Sequence, residues 1–515
     1  MKQKRPPRKN KGLRISVYVF VGFVYLLAYV IFCLCTWAKA HFNATIEEII
    51  FTLMNPLKGT DSSLVESGVR YCVPRILIFL AIYITVVVID WRTRVSVSIW
   101  MKIKSVRLSI NVTLIARIMA ACSCFLALFN SLSLADKQYG LFTFIENQRK
   151  STNLYETYYV DPERADIRLR DGEEAPKNLL FIVLESMETS YGAKEKGGEQ
   201  VGVSYIPALE TLAENNVSFS DGDRLGGFHN VWGATWTMGA LLAMTAGVPF
   251  AFPTTTNAMN LRENFAPGLY TMGDVLEDMG YTQEFLCGSD AEFGGRKTYF
   301  TSHGNYRCYD LYSARKDGLI APDYHNGFWG YEDFYLYEIA KKELTELSAG
   351  AKPFHLTMLT VDTHFPVGYV CDLCGTEHAQ TAGNVIACAD WQLKAFLDWC
   401  EGQPFYEDTL IVIAGDHMRM DSCLVENVEQ KDRTMYNCFI NSAIIPQGRT
   451  KNRVFTTMDM FPTIMAGLGY VWKGERLGLG TNVFSTQPTL AEEIGYHTLN
   501  TEISKKSKYY QKNFY

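Results

Sequence analysis

The sequence contains no internal repeat and no low-complexity tract, which sets aside solenoid and collagen-like architectures. It has no excess of basic residues either: 49 Lys and Arg stand against 55 Asp and Glu, a net charge of −6, so no nucleic-acid partner is expected. After Asp136 long uncharged apolar runs are scarce. That part alternates short apolar runs with polar and glycine-containing turns, as a soluble α/β protein does. Nearly all the long uncharged apolar stretches precede it, so a membrane module over 1–135 is expected ahead of a globular part.

Residues 15–38 hold no charged side chain, and about 20 helical residues suffice to cross a bilayer core. The run is longer than a signal-peptide core and no small-x-small cleavage site is obvious before the next span, so it reads as a span. Residues 71–89, with Arg75 able to reach the headgroups, and 118–135 are the second and third spans. Residues 1–14 are strongly basic, and Arg92, Arg94, Lys102, Lys104, Arg107 and Arg117 flank spans two and three; both regions are expected on the cytoplasmic side. The acidic loop with Glu47, Glu48, Asp61 and Glu66 then lies outside. Three spans leave the C-terminal part outside as well, in a multi-pass cell-membrane protein. Residues 95–103 alternate apolar and polar, a strand-like period.

Residues 136–176 are polar and tyrosine-rich and read as a juxtamembrane linker, followed by a globular domain over 177–515. Strands are expected at 178–185, 282–287, 354–361 and 409–414, separated by helices at 206–215, 269–279, 334–347 and 387–400. This α/β order predicts a mostly parallel central sheet covered on both faces, with ligands bound beyond the C-terminal strand edges. Eight of the thirteen cysteines lie in this part. Cys371-x-x-Cys374, with Cys388 and His378 nearby, invites a zinc reading, but no second CxxC exists and a disulfide or free thiols are expected instead.

Four groups distant in sequence fall where such a sheet would gather them. Glu185 ends the first strand, Thr237 opens an apolar helical pattern in GATWTMGALLAMTAGVP, and Asp416 with His417 follows the strand IVIAG. Three oxygen ligands and one imidazole suit a divalent cation such as Mn²⁺, Mg²⁺ or Zn²⁺. A hydroxyl at a helix start is ordinarily an N-cap, and Asp-His after a strand is ordinarily a cap with a surface histidine. The same helix start also favours an anion, and a metal there would activate the hydroxyl as a nucleophile.

The segments LLFIVLESME, GATWTMGAL, TVDTHFP, IAGDH and MDMFPTIMAGLGY, in this order, resemble the lipoteichoic acid synthase and phosphoglycerol transferase branch of the sulfatase and alkaline phosphatase superfamily. The stretch EIIFTLMNPLKGTDSSLV between the first two spans is also similar to membrane-anchored relatives of this branch. The resemblance implies a sulfatase-like α/β/α domain with one divalent metal, manganese first and magnesium or zinc as alternatives, held by Glu185, Thr237, Asp416 and His417. It implies that Thr237 attacks phosphatidylglycerol, that diacylglycerol leaves, and that a cell-envelope glycan or polyglycerophosphate polymer receives the glycerophosphate.

His364, in DTHFP, matches a family histidine beside the substrate phosphate, with a phosphate-binding or proton-transfer role. Arg296, in FGGRKTYFTSHG, lines up with a family arginine that contacts the glycerophosphate. Lipoteichoic acid synthases have a histidine near the position of Cys287 and an aromatic where this chain has Gly294. Trp236 instead resembles the Trp-Thr pair of phosphoglycerol transferases acting on periplasmic glucans, a candidate substrate contact. His303, Trp329 and Arg419 lie in or near the motifs. His41, His355 and His497 are expected to be structural or solvent-facing. A phosphoethanolamine transferase or a hydrolase of the same fold is the second reading, although WTMGA lacks the C/S-x-P-x-R signature of sulfatases. An inactive envelope scaffold is the third.

Overall fold

The computed structural model describes residues 11–41, 45–46, 49–50, 62–93, 98–103, 106–172, 175–251, 265–326, 328–421, 423–426, 428–429 and 432–514. Much of the relative-like stretch between the first two spans, and several of the charges used to orient them, lie outside these residues. The chain divides into two compact units, residues 1–43 with 62–143 and residues 44–61 with 144–515.

The first unit contains three helices long and apolar enough to cross a membrane, with spans Gly12–Lys39, Glu66–Arg92 and Leu114–Tyr139. They lie in α1 (Lys11–His41), α2 (Ser62–Thr93) and α3 (Val112–Tyr139). Pro74 sits inside α2. Asp90 of α2 receives Arg14 of α1 at 3.0 Å and Arg117 of α3 at 2.8 Å, tying the three helices together at one end. The alternating stretch forms strand β1 (Ser98–Ile103), which pairs antiparallel with β2 (Val106–Asn111).

The second unit is built on a six-stranded sheet. Its strands are β3 (Asn178–Leu184), β4 (Thr282–Cys287), β5 (Arg307–Tyr309), β6 (Phe354–Leu359), β7 (Thr409–Gly415) and β8 (Asn437–Ile440). Their spatial order is β5-β4-β6-β3-β7-β8, with only β8 antiparallel to its neighbour. The period of two sends Leu179, Phe181 and Val183 to one apolar core and Leu180, Ile182 and Leu184 to the other. The first core is covered by α5 (Thr237–Ala246), α6 (Met272–Asp278), α7 (Arg296–Ser302) and α10 (Met460–Gly467). The other is covered by α4 (Pro207–Asn215), α8 (Asp333–Ser348) and α9 (Thr381–Glu401).

Two elements differ from the sequence reading. Helix α9 begins at Thr381, earlier than its apolar pattern. The stretch read as a linker also contributes to the second unit: Leu154 and Tyr155 are buried in its core, and Arg168–Leu169 pairs with Tyr470–Val471. The tyrosines that made the stretch look polar bury their rings, Tyr155 against Tyr510 at 5.4 Å and Tyr159 against Phe514 at 5.1 Å.

Candidate active site

The three central strands end in register: Leu184 of β3 lies opposite Gly415 of β7, and Val183 opposite Leu359 of β6. The next residue on each strand therefore emerges at one edge, as Glu185, Asp416 and Thr360. Close approach needs Gly415, because a Cβ there would lie 2.0 Å from the carbonyl oxygen of Met187, on the turn after β3. In that turn Ser186 adopts the left-handed conformation, φ 53°. Its N–H donates to Asp416 Oδ1 at 2.7 Å and its hydroxyl to Glu185 Oε1 at 2.7 Å. The strained residue thus holds both carboxylates.

Thr237 is the first residue of α5, and Trp236 before it occupies the cap position without a side-chain bond to the helix amides. The Thr237 hydroxyl donates to Glu185 Oε2 at 3.2 Å and lies 3.4 Å from His417 Nε2. His417 Nδ1 lies 2.9 Å from the Met418 carbonyl, which assigns its proton to Nδ1 and turns the Nε2 lone pair inward. That nitrogen stands 3.4 Å from Glu185 Oε1 and 3.4 Å from Asp416 Oδ2. Asn230 braces the turn, donating to the Asp416 carbonyl at 2.9 Å and accepting from Met418 N–H at 3.2 Å.

Glu185, Asp416 and His417 are buried, with ligand atoms within 4.8 Å of one another. Asp416 Oδ2 is buried with no hydrogen-bond partner among the described residues. Burial and the charge of Glu185 push the Asp416 carboxyl up to about 7. Burial also raises the Glu185 carboxyl, but His417, His364 and bonds from Ser186 and Thr237 bring it net below its ordinary value. Two buried acids, an imidazole lone pair and a hydroxyl approach one another here, and this donor set fits a divalent cation.

His364 stands beside this cluster. Its Nδ1 donates to the Phe365 carbonyl at 2.7 Å, its ring packs on Trp329 at 4.6 Å, and burial holds it below its ordinary pKa. It is therefore neutral at pH 7, with Nε2 as its available acceptor.

The sulfatase family profile matches residues 177–470, more than half of the chain. The chain belongs to the sulfatase family. Phosphoglycerol transferase I of Escherichia coli (strain 55989 / EAEC) is 28% identical over 342 residues, covering 65% of this chain and 41% of that protein. The chain thus spans about two fifths of the length of the curated relatives it matches. Among solved structures, an alkaline phosphatase superfamily protein from Vibrio parahaemolyticus matches at TM-score 0.49 and 22% identity, covering 64% of this chain and 75% of that one. Lipoteichoic acid synthase LtaP from Listeria monocytogenes matches at TM-score 0.47 and 18% identity, covering 62% and 79%. The sulfatase-family domain and the phosphoglycerol transferase relatives agree with the branch that the motifs resemble.

The sulfatase-family fold brings Glu185, Thr237, Asp416, His417 and His364 together. Trp236 is buried beside Thr237, its ring 5.4 Å from Phe250. Arg296 opens α7 and is buried, with Nε bonded to the Phe293 carbonyl and Nη2 to Ser289 Oγ and the Asp290 carbonyl. Among the described residues it makes no bond to the metal-type cluster. His303 is structural, between Asp274 at 3.0 Å and the Phe265 carbonyl at 2.6 Å. Sequence reading missed Ser186 and Asn230 and only grazed Arg419. Buried Arg419 bonds Asp421 and the Thr363 carbonyl at 2.7 Å, while its Nη2 has no partner among the described residues. An arginine two residues after a metal-type histidine was the available signal.

Proposed function

We propose that this chain is a phosphoglycerol transferase anchored in the cell membrane by three spans, with its sulfatase-family unit on the extracytoplasmic side. It takes glycerophosphate from phosphatidylglycerol, releases diacylglycerol, and passes the glycerophosphate to a cell-envelope glycan or polymer. The observation that carries this reading is the Thr237 hydroxyl, directed to Glu185 and His417 instead of to its own helix. The Escherichia coli relatives named phosphoglycerol transferase I support the choice of group transferred.

Glu185, Thr237, Asp416 and His417 would hold the divalent ion, manganese first, with magnesium or zinc as alternatives. Bound there, it supplies Lewis acidity and positive charge to the phosphate oxygens. Thr237 Oγ1 forms the bond to phosphorus as the bond to the diacylglycerol oxygen breaks, leaving glycerophosphoryl-threonine. His364 Nε2 takes the proton of the Thr237 hydroxyl and gives it to the departing diacylglycerol oxygen; in the second half-reaction it removes the proton of the attacking acceptor hydroxyl and returns it to Thr237 Oγ1 as that oxygen leaves phosphorus. The Arg419 guanidinium, whose Nη2 has no partner among the described residues, and the amides that open α5 would supply positive charge to the phosphate group.

The test incubates purified protein with fluorescent phosphatidylglycerol and Mn²⁺ and follows diacylglycerol release together with the mass of the Thr237 peptide. Thr237→Ala should lower release by roughly 10³-fold or more. Unchanged release in that variant would sink the mechanism. Phosphatidylethanolamine in parallel decides the head group.

A further inference from the structure

The loop that carries His364 ends on a second group of metal-type ligands, apart from the catalytic one. It leaves β6 at Thr360, turns back through a Tyr369 N–H bond to the Asp362 carbonyl at 2.7 Å, and closes with a Cys374 N–H bond to the Cys371 carbonyl at 3.1 Å. The Cys371-Cys374 turn faces α9, from which Cys388 and, one turn on, Gln392 approach it. Cys371 and Cys388 are buried and Cys374 is half-buried. The three sulfurs lie within 4.8 Å of one another, with Cys371 Sγ 3.6 Å from Cys374 Sγ and 3.8 Å from Cys388 Sγ.

These separations decide between two chemistries. A disulfide joins two sulfurs at about 2 Å and would leave the third alone. Zinc bound by thiolates at about 2.3 Å holds them at the edges of a tetrahedron, about 3.8 Å apart. The side-chain amide of Gln392 completes the figure: its terminal nitrogen lies 3.2 Å from Cys388 Sγ and 3.8 Å from Cys371 Sγ, and its oxygen is buried with no partner among the described residues. The two ends of an amide are assigned from their neighbours, and turning it over points the carbonyl oxygen at the sulfurs.

We propose that Cys371, Cys374 and Cys388 bind a thiophilic divalent cation, zinc first, with the Gln392 carbonyl in the fourth position. Binding replaces three S–H protons, which leave to solvent, by three sulfur-metal bonds. The soft sulfur set separates this site from the oxygen-rich catalytic one. It ties the His364 loop to α9, and it reverses the preference for a disulfide that the single CxxC suggested.

The test uses the full-length protein in detergent, purified without chelator. Wild type should carry one zinc equivalent per chain that Cys374→Ser loses and Asp416→Asn keeps. Loading with Co²⁺ should give a sulfur-to-cobalt charge-transfer band that is absent from Cys374→Ser. If that variant fails to fold, alkylation of wild type serves instead: Cys371, Cys374 and Cys388 should be protected until the metal is chelated and then all react. A Cys371–Cys374 or Cys371–Cys388 disulfide in mapped peptides, or three reactive thiols in protein as purified, would overturn the proposal.

Discussion

A hydroxyl one residue further back, at the cap position, would be consumed by the amides of α5; Thr237 escapes that fate by being the first helical residue. Its role rests on orientation, so Thr237→Ser should retain measurable diacylglycerol release where Thr237→Ala does not. His364 is not among the metal-type ligands, and His364→Gln should leave bound metal unchanged while lowering kcat by about 10²-fold or more, measured by metal analysis and turnover on one preparation. That Glu185, Thr237, Asp416 and His417 come together was legible because they follow a strand or open a helix, and those boundaries show in the pattern of apolar residues. Arg296 was not: a sequence cannot tell a guanidinium bonded to its own loop from one offered to a substrate. Ser186 acts through its N–H and hydroxyl and Asn230 through its side-chain amide, and neither left a pattern to read.

At the scale of elements, the site depends on how closely β3 and β7 finish. Gly415→Ala would press a methyl group into the Met187 carbonyl, a backbone atom that cannot step aside. It should cost on the order of 2 kcal/mol or more in thermal unfolding and weaken metal binding with it. Helix α4 depends on a side chain from α9: Asp390 accepts the amides of Ala208 at 2.8 Å and Leu209 at 2.9 Å. Burial pushes this carboxyl from 3.8 up to about 6. A raised folded-state pKa contributes stability that is fully present below 3.8 and is lost as pH rises through about 6. Unfolding of Asp390→Asn, followed across that window, should lack this decline, whatever its absolute stability. The early start of α9 was hidden because Thr381, Ala382, Gly383 and Asn384 have no apolar stripe. Gly383 is there for Tyr205, whose ring a Cβ would meet at 2.6 Å.

For the whole molecule, the proposed sidedness follows from charge, and a reporter fused after Tyr515 should be active in the periplasmic or external space and silent in the cytoplasm. The reverse result would separate the catalytic unit from outer-leaflet lipid. The division into an apolar first part and an α/β second part was plain from composition, since bilayer spans need long uncharged runs and parallel strands need short ones. The burial of Leu154 and Tyr155 was not, because tyrosine-rich sequence reads as polar until its rings find partners. The order of the sheet bears on how the enzyme is made. Strand β7 comes late in the chain yet lies between β3 and β8, and it delivers Asp416 and His417. A nascent chain that has already exposed Thr237 therefore cannot complete the cluster with Glu185 until β7 has brought in Asp416 and His417. On the proposed function, lipid consumption would begin only after β7 has emerged and entered the sheet, so translation itself would time its onset.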